Sequence, residues 1–202
     1  YGTEEITENK IQLALAQFIR SIQSFDSKYD AGRALVANDN ANFPNFTVQE
    51  NTGKNLFNTP PIFDASGNRT SGGLGCAGCH KAPEFDIDPN TLSNGIGGSI
   101  AGGSDFTNTR APSLRDLVKL DGTLNTPLMH TGVVTTLHAA IGHYGDLTNQ
   151  AINNPNLDPR LKPNGVGQKL NLTAPEVNAV IAFLKTLSGT NVYTDSKWSS
   201  PF

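Results

Sequence analysis

Apolar positions recur at helical spacing in two places far apart in the chain. Near the start, Ile11, Leu15, Phe18, Ile22 and Phe25 fall on one face. Thr7 stands where an N-cap belongs, and Ile6 and Ile11 take the positions of a hydrophobic staple. The pattern predicts an amphipathic packing helix that carries no chemistry. Near the end, Val177, Val180, Ile181, Leu184 and Leu187 form a second stripe. Thr173-Ala174-Pro175-Glu176 opens it as a capping box with proline in the first turn, and Gly189 is expected to close it.

Between these stripes the signals are weaker. From Asp26 to Phe46 the residues are small and polar without a period. Thr47-Val48-Gln49-Glu50 then predicts a capped helix that stops before Pro60-Pro61. The run from Thr126 to Gly132 reads as a compact turn, and Thr136 as the cap of a short helix reaching about Tyr144. Residues 83–109 are rich in Gly, Asn, Asp and Ser and read as one long loop. A loop of that length in a compact domain is expected to wrap something. No stretch gives a convincing strand and nothing repeats, so the predicted class is all-α.

Composition narrows the function. The 202 residues are 37% hydrophobic, with 20 Gly and 12 Pro, which describes a globular but loop-rich chain. A net charge of −3 offers no basic face for nucleic acid. No apolar run approaches the roughly 20 residues of a membrane span. The chain begins Tyr1-Gly2 and reads as a processed or truncated product.

The chemistry is concentrated at Cys76-Ala77-Gly78-Cys79-His80, which holds both cysteines of the chain. C-x-x-C-H is the attachment signature of a c-type haem. On one helical turn the two thiols can reach the two vinyl groups of a porphyrin, and the next residue points an imidazole at the iron. His80 is the expected proximal ligand, its second ring nitrogen donating to a carbonyl within Lys81-Ala82-Pro83. A thioredoxin-like couple needs a βαβ setting that is absent here, and four-ligand zinc needs a second ligand pair. Gly72, Gly73, Gly75 and Gly78 are expected to let backbone approach a flat macrocycle. Covalent haem makes the periplasm the expected compartment.

The opposite side of the iron is open between several candidates: Met129, His130, His138, His143 and Tyr144. Distance along the chain favours Met129, although a Met more often fills a gap in a core. Each histidine and the tyrosine can equally be a hydrogen-bonded packing residue.

Three further runs carry a resemblance. Ala111-Pro112-Ser113-Leu114-Arg115, Pro127-Leu128-Met129-His130-Thr131-Gly132 and Thr136-Leu137 through His143-Tyr144-Gly145 resemble the C-terminal half of the bacterial di-haem cytochrome c peroxidase and MauG family. The likeness runs from Ala16-Gln17-Phe18-Ile19-Arg20-Ser21 to Phe183-Leu184-Lys185-Thr186-Leu187-Ser188-Gly189. It implies a c-type cytochrome domain at 61–202, with long loops around one covalent haem c. Residues 1–60 then hold N-terminal helices and a linker, including the family's inter-domain helix.

The resemblance also implies a His80/Tyr144 iron of MauG type, because Tyr144 matches the family's distal ligand and Met129 an apolar position before the family's His, here His130. Arg110 and Arg115 are implied as propionate partners, and His130 as a haem-pocket residue. Asn125 and the Pro127 carbonyl match oxygen ligands of a calcium ion. The implied function is electron transfer to a peroxide-activating haem in an N-terminal domain that this chain lacks. The donor is a small redox protein, and the substrate is peroxide or a protein side chain. The alternative is a free-standing monohaem electron carrier.

Overall fold

The computed structural model describes residues 4–87, 90–100, 103–105 and 111–199. Its framework is built from helices α1 (Glu8–Ser21), α2 (Lys28–Arg33), α3 (Val48–Asn58), α4 (Leu137–Gly145), α5 (Asn149–Ile152), α6 (Ala174–Lys185) and α7 (Asn191–Thr194). Local chemistry sets the ends of the longer ones. The side chains of Thr7, Thr47, Thr136 and Thr173 each accept the N3 amide of the helix they open, and Glu50 and Glu176 complete capping boxes. Helix α2 was invisible as a period, yet Ser27 and Asp30 build a full capping box for it.

Two expectations about ends and strands are corrected. Gly189 does not close α6; the helix stops at Thr186, and the Gly189 amide donates to Asp116 Oδ1 at 3.0 Å. The class is also only approximately all-α, because three antiparallel ribbons are present. They pair β1 (Pro61–Phe63) with β2 (Arg69–Gly72), β3 (His80–Lys81) with β4 (Asp86–Ile87), and β5 (Gly98–Ile100) with β6 (Gly103–Asp105). Pro61 faces Gly72, His80 faces Ile87 and Gly98 faces Asp105. Strands of two to four residues are too short to show an alternation. Two of these ribbons divide what reads as one loop over residues 83–109.

The core lies between α3 and α6. Gly53 is where their backbones meet: a Cβ there would stand 1.9 Å from the Ala179 carbonyl oxygen. Phe183 is fully buried, with ring centroids of Phe57 at 5.2 Å, Phe85 at 5.9 Å and Tyr29 at 6.3 Å. Because α3 and α6 share this core, packing is continuous across residue 60. Lys54 is 0% exposed; its ammonium donates to the Asp39 and Ala41 carbonyls and lies 4.7 Å from the Phe43 ring centroid. Burial lowers its pKa, partly opposed by the Asp39 carboxylate.

Helix α1 departs from its expected role. None of its residues is buried, and Ile11, Leu15 and Phe18 are about half exposed. Its stripe is therefore amphipathic without being packed; one ring contact, Phe18 with Trp198 at 6.0 Å, touches it. No helix of the described residues is long and apolar enough to cross a membrane.

Arg115 ties α2 to the segment after the cysteines. Its guanidinium pairs with both oxygens of Asp30 at 2.8 and 2.9 Å, with Nη1 and Nη2 each taking one. Burial alone would raise Asp30, but hydrogen bonds from Arg115 and Ser27 outweigh it and hold the carboxyl below the ordinary range. A depressed folded pKa stabilises fully above the unfolded value of about 3.9 and is lost as pH falls through the folded one. Asp30→Asn is therefore expected to cost about 2 kcal/mol at pH 7, less than a fully buried pair because Asp30 is partly exposed. The same substitution should flatten the acid-side fall in stability. Urea midpoints at pH 7, 5 and 3 check both; an unchanged midpoint at pH 7 contradicts the first.

Candidate haem site

Cys76–Gly78 forms a single 3₁₀ turn, entered through Gly75 at φ 70° and followed directly by β3. The turn puts both thiols and the His80 imidazole into one short span. Neither cysteine is in a disulfide. Burial pushes the Cys76 thiol up to about 12, so it stays protonated at neutral pH. His80 Nδ1 lies 3.0 Å from the Phe85 carbonyl oxygen. The acceptor is thus two residues beyond the expected Lys81-Ala82-Pro83 run, because β3 and β4 turn the chain back on itself. Phe85 has φ 53°, a left-handed conformation in which its ring enters the core while its carbonyl meets the imidazole. Burial lowers the His80 pKa, against hydrogen bonds to the Phe85 and Pro112 carbonyls.

Three of the four glycines serve the protein's own packing. A Cβ on Gly72 would strike the Pro60 carbonyl at 2.3 Å, one on Gly73 the Thr59 carbonyl at 2.4 Å, and one on Gly75 the Pro61 ring at 2.6 Å. Gly78 alone has nothing within 4 Å of its added Cβ.

The distal candidates separate in space. Tyr144, in the last turn of α4, is partly buried and packs against the same core cluster as Cys76. Burial raises that phenol to about 12, with the Asn94 amide opposing. Its backbone is pinned by the buried Gln168, whose Nε2 donates to the Tyr144 carbonyl at 2.7 Å. Met129 reaches the same place: Asn94 Nδ2 donates to Tyr144 Oη at 3.2 Å and to Met129 Sδ at 3.3 Å. The two side chains therefore belong to one site. His143 is directed to the Asn94 carbonyl at 2.8 Å, His138 Nε2 meets Asn178 on α6 at 3.1 Å, and His130 is exposed.

The other residues implied by the resemblance lie as follows. Arg110 falls outside the described residues. Arg115, besides pairing with Asp30, donates to the Pro83 and Ser24 carbonyls and stacks on Phe25 at 4.3 Å. Asn125 donates its amide to the Asp116 carbonyl and the Tyr193 hydroxyl, each at 3.2 Å, and Pro127 is exposed. Among the described residues no cluster of three His, Cys, Asp or Glu could hold a metal ion.

Two contributors were not foreseen. Asn94 joins Tyr144 and Met129, and Arg160 Nη1 donates to the Gly78 carbonyl at 2.6 Å while gripping Asp158. Both act across more than 30 residues of sequence, where no local pattern marks them.

The residues present fit a haem. Cys76 and Cys79 supply thiols on one turn followed by the His80 imidazole, and Tyr144 and Met129 supply an oxygen and a sulfur that share Asn94. Gly78 leaves room at the turn, and Thr131 Oγ1 is buried without a protein partner. A C-x-x-C-H turn of this kind is what c-type haem proteins use to hold their haem. No protein-family model matches the chain. It is similar to cytochrome c551 peroxidase of Nitrosomonas europaea, 26% identical over 201 residues, covering 94% of this chain and 47% of that protein. A crystal structure of a MauG-like protein associated with microbial copper homeostasis superposes with a TM-score of 0.63 at 25% identity, covering 98% of this chain and 62% of that one. The chain thus spans about half the length of the curated relative it matches. Together the two likenesses support the di-haem cytochrome c peroxidase and MauG family as its family.

Proposed function

We propose that this chain is the electron-transfer haem domain of a di-haem peroxidase or MauG-like oxidoreductase. The observation that carries the reading is the cysteine turn with its oriented imidazole, packed against the same core cluster as Tyr144. Bound haem supplies a one-electron ferric/ferrous couple. Cys76 and Cys79 would hold it through thioether links to its two vinyl groups. The Phe85 carbonyl fixes the His80 tautomer and raises the basicity of Nε2. Tyr144 would hold the iron through its phenol oxygen, a hard donor that favours the ferric state.

In this reading the domain passes electrons or oxidising equivalents to a second, peroxide-activating haem. Its implied partners are that haem domain, a small redox protein as donor, and peroxide or a protein side chain as substrate. Covalent haem attachment supports a periplasmic location. Comparing ferric absorption spectra of the haem-loaded wild type and Tyr144→Phe tests the ligand. Loss of a phenolate-type spectrum is the expected outcome. A wild-type sulfur-to-iron band that vanishes in Met129→Leu contradicts it.

A further inference from the structure

Asn94 sits in a strap that the protein holds tightly. The Ser93 amide donates to the Asn156 carbonyl at 3.0 Å, the Asp158 amide to the Ser93 carbonyl at 2.8 Å, and Leu92 N to Asp158 Oδ2 at 2.9 Å. Ser93 and Asp158 are 1% and 2% exposed. Asp158 also takes the Arg160 guanidinium, whose third contact is the Gly78 carbonyl of the cysteine turn. The strap is therefore fastened to the proximal side while Asn94 reaches the distal one.

The orientation of the Asn94 amide is determined by its surroundings. Its Oδ1 accepts the Ile96 amide at 3.1 Å, which only an oxygen can do. The NH₂ group consequently faces Tyr144 Oη and Met129 Sδ, with one hydrogen for each. The Asn94 carbonyl accepts from His143 Nε2 and holds the backbone in place.

We propose that Asn94 is a positioning residue that selects Tyr144 over Met129 as the side chain facing the iron. The inference rests on the haem and Tyr144 reading above. Its two donors act unequally. Donation to a phenol oxygen strengthens as that oxygen takes on negative charge at a metal. Donation to sulfur occupies a lone pair that a metal would need and tethers the thioether away. One amide thus favours the oxygen ligand and restrains the sulfur.

The test uses the haem-loaded chain. Asn94→Asp keeps an acceptor for Ile96 and removes both donors; Asn94→Ala removes the amide without adding charge. Both are expected to show a sulfur-to-iron band absent from wild type. Both should move the ferric/ferrous equilibrium at least tenfold towards ferrous, about 59 mV for one electron. Adding Met129→Leu to Asn94→Asp should abolish the band. If both Asn94 variants keep the wild-type spectrum and potential while Tyr144→Phe changes them, the selection is refuted and the Tyr144 ligand stands. If Tyr144→Phe leaves the ferric spectrum unaltered, the ligand reading falls and takes the selection with it.

Discussion

A Cys76→Ala/Cys79→Ala double variant is expected to carry no covalently attached haem. Each thioether needs one thiol, and these are the only two cysteines in the chain. What haem the variant binds is held by His80 and packing alone, and it leaves into acidified organic solvent. Wild type should retain all of it in the protein phase and show a mass increased by one porphyrin. A single variant, Cys76→Ala, should keep one linkage and the same haem mass. A porphyrin mass persisting on the double variant after denaturation would remove the basis of the functional reading. The size of this effect is categorical because covalent linkage is all-or-none.

The second large effect is structural. Phe85→Ala is expected to cost about 3–5 kcal/mol, the range for deleting a fully buried aromatic ring. Phe85 is 1% exposed and lies edge-on to Tyr29 at 4.8 Å, with Phe57 and Phe183 at 5.9 Å. Alanine does not relieve the φ of 53°, so none of the loss is recovered from the backbone. The carbonyl that holds His80 survives the substitution, but the ring that anchors it does not. A lower urea midpoint with unchanged m measures the first consequence. A broadened ferric spectrum at the same pH reports the second, since the imidazole would sample more orientations. A midpoint within 1 kcal/mol of wild type would show that the ring is not a fixed part of the core.

What could be read from the sequence divides by range. The caps at Thr7, Thr47, Thr136 and Thr173 were legible because donor and acceptor lie within three residues of each other. The cysteine turn was legible for the same reason. The stripe of α6 foretold burial correctly, whereas the similar stripe of α1 did not. Periodicity encodes which face is apolar, not whether anything covers it. The acceptor for His80 was misplaced by two residues because the β3–β4 reversal is too short to leave a pattern. The pairing of Arg115 with Asp30, 85 positions away, left no local pattern. Asn94 could not be picked out at all, since Met129 and Tyr144 lie 35 and 50 positions along the chain from it.

The sealed position of Lys54 has a chemical consequence. Its amine is fully enclosed, and the two carbonyls that hold it occupy the hydrogens a reagent must displace. Lys28 and Lys197, with side chains 42% and 59% exposed, meet an acylating reagent freely. Lys54 meets it only in molecules whose α3 has separated from its surroundings, so the extent of its acylation over time counts how often the domain opens.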